Sequence, residues 1–443
     1  MKSLRRTVCL ILIMAGILPG NAIWAQRQKK DTPQKESVVI VDDEACGCEL
    51  YFVNGIQTTQ NEDGLFGFKR EDGTVIVEPR YKFVDKFHGD YCIVFIDYEQ
   101  CGLIDRDGNE ILKPVFQEIN YPTDGMIRVK QNELYGFYDT TGRLMIEPQY
   151  LAVSGFEEGL ASVAVEIDSF SIAYGYIDHQ NRMIIPPQFQ YAYPFHEGYA
   201  VAKKYDRFGM IDHNGREVLT FKYDHVTYMI NGVFWAFDSE LDKCALFNNK
   251  FKPITQFVYD NVTDYTEGFF TVERNGKKTF VDTKGRQRFE YYDEVSGFIG
   301  GFSMVARDGH YGIINTRGKT ILPMEYDNSG YRSMEYIFSE GLAMVEKSGR
   351  FGFVDKRGRI VIPIIYESAQ HCTEGLIPVQ KDRMWGFIDK EGNVFIDFIF
   401  DAASFFEWGR AEVVYNSEVF KINPEGRCVK NCKKFPKIEL WPK

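Results

Sequence analysis

A glycine, usually with an aromatic residue just before it, returns through this chain too regularly for an ordinary globular domain. It stands at Gly67, Gly102, Gly136, Gly175, Gly209, Gly312, Gly352 and Gly386, while Ala245, Thr279 and Lys421 hold the same place in degenerate copies. Neighbouring positions lie 33 to 40 residues apart. A period of this length marks solenoids, propellers and arrays, whose units cannot bury an apolar face alone and must stack. The scale of the architecture is therefore set before any other residue is read.

The rest of each copy reads as strand and turn. Three residues after the glycine comes an acid or its amide: Asp105, Asp139, Asp178, Asp212, Asn248, Asp282, Asn315, Asp355 and Asp389. Six residues after it comes a second glycine, at Gly73, Gly108, Gly142, Gly215, Gly285, Gly318, Gly358 and Gly392, with Asn181 standing in once. Asp opening a tight turn and Gly closing it suit a type I turn or a hairpin with a glycine bulge. The turn joins runs such as Phe353-Val354 and Ile360-Val361-Ile362, rich in aromatic and β-branched residues, which predicts a β-hairpin. Pro79, Pro114, Pro148, Pro186, Pro323 and Pro363 close the second run; lacking an amide hydrogen, proline there predicts a strand end or edge. A third run follows a Glu-Gly pair, as in Gly341-Leu342-Ala343-Met344-Val345. Each unit is thus expected to be a meander of about three short strands. No segment carries a sustained helical period with caps, so the fold class is all-β. A glycine in mid-strand signals close approach by a neighbour. The expected neighbour of Gly352 and Gly386 is an aromatic ring from the adjacent strand or unit; a bulge or twist requirement is the other explanation.

The copy Trp385-Gly386-Phe387-Ile388-Asp389-Lys390-Glu391-Gly392 carries the motif most fully. It resembles the WG-repeat family, also called KWG repeats; elsewhere Phe, Tyr or Cys replaces the tryptophan. The resemblance spans about residues 62–427. It implies a bacterial β-repeat protein without an established activity, and it supplies no catalytic residue to carry over.

The two ends differ from the middle. Met1-Lys2-Ser3-Leu4-Arg5-Arg6, the apolar run Val8 to Leu18, then Pro19-Gly20 and the small residues Ala22 and Ala25, form the three parts of a secretory signal peptide over residues 1–25. The apolar run is far shorter than the roughly 20 residues a spanning helix needs, so no transmembrane segment is expected after cleavage. An exported chain, periplasmic or extracellular, follows. Residues 26–36 are polar and aperiodic and read as a flexible linker, and 37–61, with strands around Val38–Val41 and Leu50–Val53, as an irregular capping unit. The array proper runs over 62–415. From 416 to 443 the pattern fades into a basic cap bearing Lys421, Arg427, Lys430, Lys433, Lys434, Lys437 and Lys443.

Charge narrows the partners. Removing residues 1–25 takes away Lys2, Arg5 and Arg6 and no acid, so the net charge of −11 becomes −14. That balance disfavours nucleic acid, whose phosphates must be met by Lys and Arg. Cys92 with Cys101, and Cys428 with Cys432, are candidate disulfides in an oxidising compartment; Cys46-Gly47-Cys48 is too tight for a relaxed one. The cysteine pairs lack histidines at ligand spacing, and no cofactor or metal is expected. His179 and His213 fill one repeat slot, His88 and His196 another. No nucleophile, metalloprotease or phosphate-cradle motif occurs. Asp105 to Glu110 carries part of a calcium loop, but it lacks the full ligand set and coincides with a repeat turn. Two units are lengthened, one around Glu166 to Ile172 and one around Asn328 to Tyr336. The first reads as a drifted loop. The second, with Tyr331, Arg332 and Tyr336, is a candidate binding loop, because insertions map to loops and loops carry function.

Ten to eleven units of about 35 residues exceed the 4–8 blades of a usual propeller, and three strands fall short of its four. The expected architecture is an open, elongated or superhelical β-repeat array with Phe351, Phe353 and Ile362 stacking from unit to unit; propeller-like closure is the alternative. The expected function is non-enzymatic binding of a protein or glycan on an extended surface, with a glycan-active enzyme or a structural envelope spacer as rivals. In a binding array polar clusters should follow the repeat register. In an enzyme, acids or histidines outside the register should converge in one pocket.

Overall fold

The computed structural model describes residues 40–42, 49–53, 55–168, 171–327, 337–407, 409–430, 432 and 435–436. The signal peptide, the linker, Cys46, Cys48, the loop residues Tyr331, Arg332 and Tyr336, and Lys433, Lys434, Lys437 and Lys443 lie outside them. Among the described residues the protein is all-β, with strands and turns and no α-helix. Among the described residues eleven antiparallel sheets follow one another, each hydrogen-bonded in sequence order. The chain divides into two compact units, Met1–Pro114 and Val115–Lys443. The first contains a five-stranded sheet from Ile40–Asp42 to Val75–Tyr81. The second contains nine sheets of three or four strands.

The usual sheet has four strands, one more than the sequence suggests. In the copy around Gly136 they are Glu118–Ile119, Met126–Gln131, Leu134–Asp139 and Leu144–Tyr150. The added strand is two residues long, too short to show a period, and it begins one residue after the aromatic that ends the preceding sheet. The strand number is therefore that of a propeller blade, and a three-strand unit is no reason against one. At the C-terminus the pattern outlasts its sequence signal. Glu418–Ile422 and Cys428–Lys430 complete a sheet with Ala402–Ala403 and Ala411–Tyr415.

The register glycine explains the last strand. Phe351 pairs with Tyr366 and Phe353 with Ile362, so Gly352 alone faces Pro363, Ile364 and Ile365. The same shift occurs between Tyr135 and Phe137 and between Trp385 and Phe387. It is a bulge of three residues against one, and proline belongs in it because a bulged residue owes the ladder no hydrogen bond. Pro363 thus lies within the strand Ile360–Tyr366 and does not end it. A Cβ on Gly352 would sit 2.7 Å from the Ile362 carbonyl oxygen and 2.8 Å from Ile364 Cα. On Gly386 it would sit 2.7 Å from the Ile396 carbonyl oxygen. The atoms nearest each of these glycines belong to the paired strand of the same unit, mostly its backbone, and not to an aromatic ring; the bulge requirement accounts for the glycine. Where the slot holds Ala245 or Thr279, no fourth strand forms. The segments that follow keep only isolated bridges, such as Cys244 to Tyr259 and Lys278 to Tyr292.

The hairpin turn has the expected chemistry. Asp355 Oδ1 accepts the Arg357 and Arg359 N–H groups at 2.8 and 3.0 Å, and Gly358 closes the turn with φ 79°. Gly358 also lets the turn press on the preceding sheet, since a Cβ there would meet the Ile321 carbonyl oxygen.

The core lies between successive sheets. Phe353 and Ile362 pack with Ile377, Val379 and Ile388 of the following sheet, while Val354 packs with Ile313, Leu322 and Tyr326 of the preceding one. Adjacent residues of one strand face opposite sides, so both sides are buried and runs such as Phe353-Val354 are continuously apolar. Phe353 and Ile362 stack from unit to unit as expected, with Phe351 at their margin.

Candidate binding surface

Most polar side chains of the second unit are used by the repeat itself. The residue before the glycine of each Glu-Gly turn sits at positive φ: Asp124, Glu158, Glu197, Glu267, Glu340 and Glu374. Its carboxylate reaches forward about one period and caps the next such turn. Asp124 accepts the Gly159 N–H at 2.7 Å, Glu158 the Gly198 N–H at 2.9 Å, and Glu197 the Asn231 and Gly232 N–H groups at 2.8 Å each. Glu267 takes Gly301 at 2.9 Å, Glu340 takes Gly375 at 3.2 Å and Glu374 takes Gly409 at 2.8 Å. These charge-assisted bonds sew one end of each unit to the next.

A second series works within each unit. The residue after the terminal aromatic of a sheet caps the two-residue turn that follows. Asp224, Asp293 and Asp327 accept the Ser239, Asp308 and Ser348 N–H groups at 2.7 Å each, and Glu367 accepts that of Arg383 at 2.8 Å. Arg207 and Lys277 bind Asp224 and Asp293, and Lys243 binds Asp260 at 3.0 Å.

The histidines of the first repeat slot join the turn-to-turn series. His179 stacks on Phe156 with ring centroids 4.4 Å apart, and its Nε2 lies 3.6 Å from Asp124 Oδ2. His213 stacks on Phe195 at 4.2 Å and faces Glu158 Oε2 at 3.4 Å.

The cysteines divide. Cys428 and Cys432 form a disulfide. Cys92 and Cys101 do not pair: their strand partners are Ile104 and Phe95, so their side chains are out of step across the hairpin. Both are buried and outside any disulfide, as are Cys244 and Cys372. Burial pushes the Cys244 thiol up to about 11 and the Cys372 thiol up to about 12. Among the described residues no group of three or more His, Cys, Asp or Glu side chains could hold a metal ion.

One crevice in the second unit brings carboxylates together. Met304, Tyr311, Tyr326, Asp327, Met344 and Glu346 line it, and burial, then the Asp327 carboxylate, push the Glu346 carboxyl up. Its volume of about 20 Å³ is room for a single water.

A different place departs from the repeat twice over. The lengthened unit around Glu166 to Ile172 is a strand extension. Leu160–Asp168 and Ser171–Asp178 form a long hairpin in which Glu166 pairs with Ile172 and Ala164 with Tyr174. Pairing puts Glu166, Ile172 and Tyr174 on one face. The next sheet adds Tyr191, whose ring lies 5.2 Å from that of Tyr174, and Tyr193, whose ring lies 4.8 Å from that of Tyr191. Tyr191 and Tyr193 remain 38 % and 42 % exposed, and Ile172 49 %. The fold does not need these tyrosines. Where Tyr191 stands, other units have Phe83, Glu118, Ala152, His225, Asn261, Glu294, Ser368 and Ala402; where Tyr193 stands, they have Asp85, Asn120, Ser154, Thr227, Thr263, Ser296, Gln370 and Ser404, none of them aromatic. The hydroxyls of Ser154, Thr227, Ser296 and Ser404 accept strand N–H groups at 2.8–3.0 Å. Tyr193 gives up that bond and exposes a ring. The backbone beneath is held instead by the Tyr176 hydroxyl, which donates to the Tyr193 carbonyl oxygen at 2.7 Å. Superimposing the copies on their glycines would have exposed Tyr193 in the sequence as the aromatic no other copy carries.

Comparison with known proteins sets this geometry in context. No curated protein matches the chain. Among solved structures it is similar to the extracellular domain assigned to a hybrid two-component system of B. thetaiotaomicron, at 10% identity and TM-score 0.25, covering 84% of this chain and 64% of that one. It is similar to a eukaryotic initiation factor at 10% identity and TM-score 0.33, covering 77% and 93% of the two chains. It is also similar to BamB from Moraxella catarrhalis at 10% identity and TM-score 0.26, covering 73% and 97%. Likenesses at this distance carry no functional meaning. The WG containing repeat matches at residues 66–98, 102–135, 135–166, 174–207, 208–237, 246–277, 311–350, 351–383 and 385–417. Those nine stretches take in more than half of the sequence and share its glycine register, and the chain accordingly belongs to the family of WG-repeat proteins.

Proposed function

We propose that this protein is a non-enzymatic binding array, exported and acting outside the cytoplasm, that holds a protein or glycan partner on the surface of its sheets. The observation that carries the reading is the division of labour among side chains. The acids and histidines from Asp124 to Glu374 follow the register and are spent on turn caps and ion pairs. What leaves the register is an exposed aromatic surface, Tyr191 and Tyr193 beside an extended hairpin. Exposed tyrosine gives large contact area at small conformational cost and suits recognition.

The test is a glycan array together with affinity capture from an extract of the source cells, using the whole chain as bait. A reproducible protein or glycan ligand supports the proposal. Turnover of a glycan, seen as released reducing ends, would replace it with the enzyme reading. N-terminal sequencing of the protein made in its own cells tests export: a mature end near Ala25 is expected, and a cytoplasmic protein starting at Met1 sinks it.

A further inference from the structure

We infer that the surface formed by Tyr174, Tyr191 and Tyr193 binds a neutral saccharide ring; this rests on the binding-array reading above and names the ligand class for one site. Three features of the surface select that class. The first is its size. Three partly exposed rings and Ile172 offer on the order of 300 Å² of contact, given that an aromatic side chain buries about 150–250 Å² in full. A stable protein interface needs about 800 Å² per partner, whereas one or two pyranose rings are covered by two or three aromatics.

The second is its chemistry. An aromatic face is the negative side of a quadrupole. The axial C–H groups on one side of a pyranose carry partial positive charge and lie flat against such a face. The hydroxyls around the sugar's rim need polar partners at the edge of the patch. Glu166, on the same face as Tyr174 through its pairing with Ile172, supplies an exposed carboxylate there. The phenol hydroxyls can donate and accept. Lys203 stands opposite Tyr191 on the neighbouring strand, but its ammonium lies 3.2 Å from Asp206 Oδ1. The edge therefore offers a carboxylate and an already paired cation, which fits an uncharged ligand and repels an anionic one.

The third is that the repeat does not explain the tyrosines. Glu, Ala, Asn or Ser serves the fold at the place of Tyr191 in most other units, with Phe83 and His225 the aromatic exceptions, and only polar, non-aromatic residues stand at the place of Tyr193. Both departures, and the hairpin extension, meet at one spot.

The same comparison supplies variants that should fold. Tyr191→Ala and Tyr193→Ser restore residues that other units use, and the Tyr193→Ser hydroxyl regains the bond made by Ser154. Tyr191→Phe with Tyr193→Phe keeps the rings and removes only the hydroxyls. The full chain and both double variants are titrated calorimetrically with cellohexaose, xylohexaose, maltohexaose and chitohexaose, and with polygalacturonate as an anionic control, after melting curves establish folding. The expected result is binding of at least one neutral oligosaccharide, weakened about tenfold or more in the Ala/Ser variant, as truncation of aromatic hot spots does, and nearly retained in the Phe/Phe variant. Equal affinity in the Ala/Ser variant overturns the site while leaving a glycan-binding array in place. Binding of polygalacturonate alone overturns the neutral class. No glycan binding, with a protein captured by affinity, overturns the inference and leaves the binding array; silence in both experiments overturns both.

Discussion

At the scale of the residue, the register glycine lets the full seven-residue last strand close against its sheet; with Lys421 in the slot only the three-residue Cys428–Lys430 pairs there. The register glycine faces backbone at contact distance, and the two units with Ala245 or Thr279 in its place lack that strand. Thr279 is fully buried and donates its hydroxyl to the Phe289 carbonyl oxygen at 3.1 Å, binding in another way the segment that a Cβ keeps out. Gly352→Ala is therefore expected to cost about 1–3 kcal/mol, as overpacking does, and to remove hydrogen-exchange protection from Ile360–Tyr366. Unchanged melting and unchanged exchange would show that the glycine is there for another reason. A second residue-scale case is Asp282. Burial pushes its carboxyl up, but the Arg286 N–H, the guanidinium groups of Arg286 and Arg288 and the Lys284 N–H outweigh this and hold it well below the usual carboxylate range. A group with a depressed folded value contributes its stability above the unfolded value of about 3.9 and loses it as pH falls through the folded one. The melting temperature should drop on acidification below about pH 4. Asp282→Asn should be less stable at neutral pH and lose less on acidification. Parallel pH profiles for the two proteins would refute the assignment.

At the scale of the element, the turns carry the joinery. A Glu-Gly turn at positive φ holds its carboxylate where the next turn presents free N–H groups. Glu197 is the fullest example, with one oxygen for Asn231 and the other for Gly232. Glu197→Ala leaves both donors to water and should destabilise by about 1–3 kcal/mol, the range for hydrogen bonds to charged groups. Glu197→Gln retains one acceptor and should cost about half as much. Urea melts give the energies, and exchange at the Gly232 amide locates them. An effect in the melts without faster exchange at Gly232 would mean that the acid acts elsewhere.

At the scale of the whole molecule, the core is a series of thin apolar layers. The two central strands of a middle sheet, such as Leu342–Lys347 and Arg350–Asp355, are buried on both faces, which is why apolar residues run together in them. The buried thiols belong to these layers. Cys244 packs with Val233, Leu246 and Phe270, Cys372 with Phe353, Ile362 and Ile377, and Cys92 with Phe68, Val77 and Ile104. A buried thiol held in its neutral form is a poor nucleophile. Cys92, Cys101, Cys244 and Cys372 are expected to resist iodoacetamide in the native chain and to react fully in denaturant, while Cys428 and Cys432 react only after reduction. Peptide mapping by mass spectrometry reads each position, and alkylation of Cys244 or Cys372 in the native chain would show that its layer opens.

The unit, its period and its hairpin are legible in the residues alone. They rest on local physics: Asp355 caps its turn with two N–H groups within four residues, Gly358 supplies positive φ, and the aromatic and β-branched runs suit strands. The position of the register glycine is equally legible, but its reason is not, because the Ile362 carbonyl comes close to Gly352 only through a bulge, and a bulge is a relation between two strands. The fourth strand is hidden because two residues have no period. The role of the Glu197 carboxylate is hidden because its partners lie 34 and 35 residues ahead, where only stacking brings them near. Cys92 and Cys101 look like a pair until strand register sets them apart. Tyr174 and the Tyr191–Tyr193 pair stand 17 residues apart in strands of two successive sheets; only the packing of one sheet on the next, with the hairpin extended beside them, makes them one surface.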